Sequence, residues 1–423
     1  MRVSVLPNRI ETVIVGAGHA GLSMSSLFRT AGREHLVLER RETLGGGWQD
    51  RWDEFRLVSP NWTASFPGFT YDGDDPDGYM PRDEIVSRVA RYAEVIDAPV
   101  ALDTAVQRVG ARPDGRRGFL VTTSRGAIEA DRVIAATGAF AEPRIPPASA
   151  AITDRVTQVH AHHYRNPAAL PPGAVLVVGT GQTGVQLAEE LHQAGRRVFL
   201  SVGRCGRLPR RYRGRDVFHW LASLRTRGYE FGTGLPTLAT LPDPRLRFAC
   251  NPHLSGHGGG HDTNLREFAR RGMTLVGRFE GADGGRVRFA ADLNAALEFA
   301  DGFFEARFKR VIDTYIERSG TPAGPSEEPG QIAFDVAEVT ELDLAAAGVS
   351  SILWTSGYRM DHRWIDLPIL DENGVPRQID GLAEVPGLSF IGLPWMRDMA
   401  SATLFGVARD AAIVADRLEA ARA

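Results

Sequence analysis

Thr12-Val13-Ile14-Val15-Gly16-Ala17-Gly18-His19-Ala20-Gly21 and Val175-Leu176-Val177-Val178-Gly179-Thr180-Gly181-Gln182-Thr183-Gly184 are two runs of one design. In each, four residues suited to a buried strand lead into G-x-G-x-x-G. The first glycine permits a tight turn, the second leaves the backbone bare for a pyrophosphate, and the third lets helix pack close on strand. The helix that starts there offers unpaired N–H groups and the positive end of its dipole to an anion. One such turn is weak evidence, because glycine-rich strand-to-helix turns also serve packing alone. Two of them, each in its own βαβ setting, imply two separate dinucleotides and electron transfer between them.

Beyond the first turn, a helix over about 20–31 and a strand at 36–38 end at Glu39, eighteen residues past Gly21. An acid at that offset accepts hydrogen bonds from an adenosine ribose. Arg40 beside it is a further cofactor candidate. Gly45-Gly46-Gly47-Trp48 then opens an aromatic-rich loop through Arg51, Trp52, Phe55, Asn61, Trp62, Phe66 and Phe69, of the kind that covers a flat ring system. Acids in the first turn of 81–93 mark a helix there. Strands are expected over 104–134, ending at Ala136-Thr137-Gly138, and Pro143, Pro146 and Pro147 stiffen a crossing into a second unit.

The second unit repeats the design, with a helix from about 183 to 193 and a strand at 198–201. No acid follows that strand. Arg204 stands twenty residues past Gly184, with Arg207 close behind. Arginine suits a 2′-phosphate where glutamate suits a free hydroxyl, so NADPH is preferred over NADH. Residues 216–345 exceed what a nucleotide unit needs and read as a substrate-side insertion, with helices over 262–271 and 293–318 and an extended stretch at 274–278. Thr355-Ser356-Gly357-Tyr358 ends a further strand. Leu388 to Pro394 and a helix from Ser401 return the chain to the first unit.

The 423-residue chain carries a net charge of −3, which gives no reason to expect nucleic acid or an anionic membrane as partner. No stretch approaches the roughly 18 apolar residues of a membrane span. Met1 to Arg9 has no apolar signal core, so a cytoplasmic protein is expected. Cys205 and Cys250 lie far apart, form no C-x-x-C pair, and read as two ordinary buried cysteines without a dithiol relay. His160, His162 and His163, and His253, His257 and His261, lack the support of a metal site, and none is expected. His160 instead reads as orienting the linker between units.

These landmarks together resemble the flavin-containing monooxygenase superfamily, the class B flavoprotein monooxygenases, over nearly the whole chain. The resemblance rests on the first glycine turn, Glu39, the GGGW stretch, Ala136-Thr137-Gly138, the second glycine turn, GLSFIGLPW and GVARDAA. Of the family pattern FxGxxxHxxx(Y/F/W), His160 and Tyr164 take the right spacing, while Asp154 and Val156 stand at the phenylalanine and glycine positions. The resemblance implies an α/β fold of two Rossmann-like domains, the second inserted in the first, with a largely helical insertion. FAD would bind residues 1–150 with 375–423, through Gly16, Gly18, His19, Ala20, Gly21, Glu39, Arg40, Gly47, Trp48, Thr137 and Gly138. NADPH would bind 151–374, through Gly179, Gly181, Gln182, Thr183, Gly184, Arg204 and Arg207. Asn61 is the candidate catalytic asparagine beside the flavin. The implied partners are a small-molecule substrate and O2, the implied chemistry oxygenation through a C4a-(hydro)peroxyflavin. Baeyer–Villiger oxidation of a ketone, a flavin reductase without oxygen transfer, the substrate's identity and homo-oligomer formation all stay open.

Overall fold

Two mainly parallel sheets, each running into one of the glycine turns, organise the computed structural model, which describes residues 3–326, 334 and 336–420. β1 (Arg9–Val15) is flanked in parallel by β2 (His35–Leu38) and β6 (Gly126–Ala135), with Val13 opposite Leu36 and Val133. Val13 and Ile14 are buried on both faces of the sheet, which is why the strand reads as an unbroken apolar run. β3 (Val100–Ala101) extends the sheet beyond β2, and the strand Leu388–Phe390 lies parallel to the C-terminal half of β6. β4 (Val106–Ala111) and β5 (Phe119–Thr123) add an antiparallel meander. α1 (His19–Thr30) packs against the C-terminal helix Val407–Ala420. That helix was expected from Ser401; it begins six residues later, and its expected last residues, 421–423, lie outside the described ones.

The second sheet is wholly parallel, in the order Thr274–Val276, Val198–Ser201, Ala174–Val178, Val349–Trp354, Thr157–His160. Both connections between the units run side by side: Glu142–Pro143 pairs antiparallel with Tyr358–Arg359. This pairing is what an inserted unit requires, since the chain must leave and return at one place.

Beside its helices, the 216–345 stretch carries strands in two places, one of them within the stretch expected to be extended. Thr274–Val276 belongs to the edge of the second sheet, and Phe279–Asp283, Arg286–Phe289 and Glu341–Asp343 form a small antiparallel sheet of their own. The 293–318 helix is present as one rod, Leu293–Glu298 continuing through a π-helical segment, Phe299–Glu305, into Ala306–Ser319. No helix among the described residues is long and apolar enough to cross a membrane.

Candidate functional site

Both glycine turns leave the C-terminal end of a central strand, the place where open α/β sheets bind ligands. Gly16 adopts φ +107° and Gly179 φ +112°, a region that side chains make costly. A Cβ on Gly21 would lie 1.9 Å from the Gly16 carbonyl oxygen, and one on Gly184 would lie 2.0 Å from that of Gly179. The third glycine is therefore what lets each helix close on its strand. Gly18 and Gly181 serve as N-caps in extended conformation with no side-chain cap, so the first N–H groups of both helices stay available to an anion. A Cβ on Gly18 would meet nothing within 4 Å. That open face is where a pyrophosphate needs to come.

The rest of the first cradle assembles around that face. Gly46 presses its Cα-side surface onto Gly18, and its Cβ would come 2.9 Å from the Gly18 Cα, so a three-glycine loop covers the turn. Gly47 is exposed, and Trp48 is half-buried with its ring 6.0 Å from those of His19 and Phe55. Glu39 is buried and accepts from the Ala17 N–H (2.8 Å) and the Arg41 N–H (3.0 Å). A carboxylate offers about four acceptor directions, so it retains room for ribose hydroxyls. Arg40 is exposed beside it. Ala20 is buried and closes on Gly392, which leaves no room for a larger side chain at 392. Thr137 is exposed, and Gly138 (φ +73°) turns the chain away. Burial pushes the His19 imidazole down to about 4, against a hydrogen bond with the Ala402 backbone, so it is neutral at pH 7. Its Nε2 is buried with no partner in the protein. A group bound in this cradle would supply one.

In the second cradle, Thr355 replaces the Ala136–Thr137 pair, its Oγ1 donating to the Val178 and Gly179 carbonyls. Gln182 is tied to the chain at Leu254, its Oε1 accepting from the Leu254 N–H (3.1 Å) and its Nε2 donating to the Leu254 carbonyl. Thr183 is half-buried at the start of the helix. Arg204 is exposed and stacks on Phe299, its guanidinium carbon 4.2 Å from the ring centre. Arg207 differs. It is buried and paired with Asp301 (3.2 Å) and Glu305, so its charge is already neutralised by the π-helical segment. Of the two predicted phosphate arginines, the geometry leaves Arg204 alone facing outward.

Asn61 is tied into its own loop. Its Oδ1 accepts from the Met80 N–H (2.6 Å), and its Nδ2 donates to the Asp75 carbonyl (2.9 Å). It is buried at the start of the 60–80 stretch. Phe66 and Phe69 likewise stack on Tyr92, with Arg88 over Phe69, and belong to the core. Cys205 and Cys250 are not separate thiols but a disulfide, Cα–Cα 6.0 Å. The long sequence gap hid a pair that the fold closes.

Where the two units join, Phe140 meets Tyr358 edge-on at 5.1 Å. Arg51 points its guanidinium at Phe140 (4.8 Å) and Phe55 (5.7 Å), and burial pulls its pKa below the ordinary value. Arg51 Nε has no partner. His160 Nε2 donates to the Gly357 carbonyl (3.0 Å), and its ring meets Tyr358 edge-on, tying the His160 strand to the returning linker. Tyr164 donates to Glu190 (3.0 Å), whose carboxyl burial lifts to about 7. No motif spacing marks Arg51, because its contact with Phe140 is made by the fold across about ninety residues. No group of three or more His, Cys, Asp or Glu among the described residues is placed to hold a metal. A groove of about 550 Å3 bounded by Leu238, Arg247, Asp371 and Arg417 touches neither turn.

Two glycine turns of the dinucleotide-binding design, each at the end of a parallel strand, define a two-dinucleotide oxidoreductase. Residues 13–213 match the family model described as pyridine nucleotide-disulphide oxidoreductase. An uncharacterized oxidoreductase CzcO-like protein of Geobacillus kaustophilus is 30% identical over 404 residues, 95% of this chain and 96% of the relative. Flavin-containing monooxygenase 1 of Mus musculus is 27% identical over 212 residues, 45% of this chain and 40% of the relative. The flavin-containing monooxygenase from Stenotrophomonas maltophilia shares the fold, with TM-score 0.67 at 21% identity, covering 99% of this chain and 100% of that one. The chain belongs to the CzcO-like oxidoreductases.

Proposed function

We propose that this chain is an FAD-dependent monooxygenase that draws reducing equivalents from NADPH and uses O2 to oxygenate a nucleophilic nitrogen or sulfur of a small organic substrate. The observation that carries this reading is the doubled cradle, one turn followed by Glu39 and the other by Arg204. Its cofactors are FAD and NADPH. When bound, FAD supplies the chemistry: it accepts hydride from the nicotinamide and activates oxygen.

The protein's share is placement and dryness. The N–H groups at the start of α1 would bind the FAD pyrophosphate, Glu39 its ribose, and the neutral His19 Nε2 would find in it the partner it lacks. The N–H groups from Gln182 onward would bind the second pyrophosphate, and Arg204, held rigid on Phe299, the 2′-phosphate. Trp48 against Phe55, and Phe140 against Tyr358, would place apolar surface beside the reacting centres and limit water there. Arg51, whose neighbouring carboxylate Asp50 is paired with Arg41, would offer positive charge there.

Purified FAD-loaded protein, supplied with NADPH, 18O2 and a panel of amines, sulfides and ketones, tests this. The reading predicts NADPH and O2 consumed together and one labelled oxygen in an N- or S-oxide. NADPH oxidation with no label in any product points to a flavin reductase. A labelled ester or lactone from a ketone moves the chemistry to Baeyer–Villiger oxidation.

A further inference from the structure

The Cys205–Cys250 disulfide stands at the mouth of the second cradle. Cys205 follows Arg204 in the loop beyond the strand Val198–Ser201 and is buried. Cys250 is exposed, and its Cβ lies 3.6 Å from where a side chain on Gly181 would begin. The same position at the first turn is open. A pyrophosphate approaching Gly181 therefore meets Cys250, whereas one approaching Gly18 meets nothing.

Cys250 starts a strap that lies across the second turn. His253 Nε2 donates to the Thr180 carbonyl (2.5 Å), and the His253 N–H donates to the Gly206 carbonyl (2.8 Å). Leu254 is gripped by Gln182, and Gly256 sits so close to the Leu57 carbonyl that a Cβ there would come within 1.8 Å. The 253–256 end is thus buried and anchored to both units. The 250 end is exposed, and the short helix before it, Pro244–Phe248, is mostly exposed too, with the Arg247–Asp371 pair (2.6 Å) as its tie. At the glycine turn itself, the disulfide is the covalent fastening of that end.

We propose that the Cys205–Cys250 disulfide is a redox latch on pyridine-dinucleotide binding. Closed, it holds Cys250 over Gly181 and narrows the cradle; opened, it lets the 250 end of the strap swing clear and the pyrophosphate reach the turn. The reductant is a dithiol. Its thiolate attacks the exposed Cys250 sulfur, the S–S bond breaks, and Cys205 leaves as a thiolate that takes up a proton. The second thiol then displaces Cys250, so two electrons and two protons pass to the pair and the dithiol becomes a disulfide. By linkage, dinucleotide binding favours the opened form by the same factor by which opening favours binding.

This latch rests on the reading of the second cradle as the NADPH site, and the test separates the two. FAD-loaded protein is oxidised with glutathione disulfide or reduced with dithiothreitol, desalted, and titrated with NADP+ by calorimetry, alongside Cys250→Ser and Cys205→Ser variants. Thiol alkylation and mass spectrometry score the pair in each sample. The latch predicts a Kd roughly tenfold tighter after reduction, a typical size for coupling between sites, and serine variants that bind tightly whatever the treatment. Equal affinity in oxidised and reduced protein, or two thiols that glutathione disulfide never joins, overturns the latch and leaves the NADPH assignment standing. Absence of NADP+ binding in every form, with FAD still bound, overturns the assignment and the latch together.

Discussion

The two glycine turns are nearly the same object, and the regions just beyond them are not. Gly16 and Gly179 differ by five degrees in φ, and a Cβ on the third glycine would come within 1.9 or 2.0 Å of the first glycine's carbonyl oxygen. Each turn backs onto a strand end closed by a left-handed glycine, Gly138 or Gly357. The divergence begins at the next strand. One ends in Glu39, buried and bonded back to its own turn; the other leads to Arg204, exposed and stacked on Phe299. The cover differs as well, bare glycine over the first and a side-chain-bearing strap over the second. On the proposed reading, a common backbone device would hold each diphosphate and the residues added to it would choose the coenzyme.

The comparison can be broken at its arginines. Arg207→Ala leaves a hole beside half-buried Asp301 and buried Glu305, which keep Arg266 and Lys309 as partners, so the loss should be about 1–3 kcal/mol. Thermal unfolding should show the largest loss of any change considered, with FAD still bound by the folded fraction. Arg204→Ala should leave the melting temperature unchanged, because that side chain is exposed. Its effect falls on coenzyme choice: kcat/KM for NADPH drops roughly 10–100-fold, the worth of a charge-assisted hydrogen bond or two, while that for NADH barely moves. An Arg204 variant that loses NADPH and NADH equally contradicts the 2′-phosphate role.

A smaller effect sharpens the contact between the insertion and the first unit. Arg225, on the helix Val217–Thr226, reaches Asp398 (2.9 Å) and, more distantly, Asp410 (3.6 Å) on the C-terminal helix. Burial lifts the Asp410 carboxyl to about 6. Folded protein therefore holds this proton more tightly than the unfolded chain, whose carboxyl titrates near 4. The stabilisation is complete below about pH 4 and is lost as pH rises through 6. Asp410→Asn should flatten this part of the Tm–pH curve, by roughly 1–2 °C for a chain of this size. An unchanged slope removes Asp410 from the account.

The glycine turns were readable because the motif is a statement about backbone: positive φ, a close approach and a bare face each need glycine at a given position. Glu39 was readable because its offset follows from one helix and one strand. What sequence could not convey are pairings made by the fold over long separations. Arg207 finds Asp301 and Glu305 about a hundred residues on, and nothing near Arg207 announces them. Cys205 and Cys250 close across forty-five residues in the same way. The bonds from Asn61 to Met80 and Asp75 are likewise made by the fold of its loop, and no local pattern announces them. The strand Thr274–Val276 was read as extended, but only its pairing with Val198–Ser201 shows that it completes the second sheet.

Gly181→Val puts the central claim to the most direct test. Gly181 has an ordinary φ of −67°, and its nearest neighbour in the direction of a side chain is the Cys250 Cβ at 3.6 Å, so the variant should fold. Anaerobic stopped-flow mixing of the FAD-loaded variant with NADPH is the measurement. The account predicts flavin absorbance kept in full and its bleaching by NADPH abolished. A variant that loses its flavin yet still takes up hydride once FAD is added back would show that the two cradles hold the opposite coenzymes.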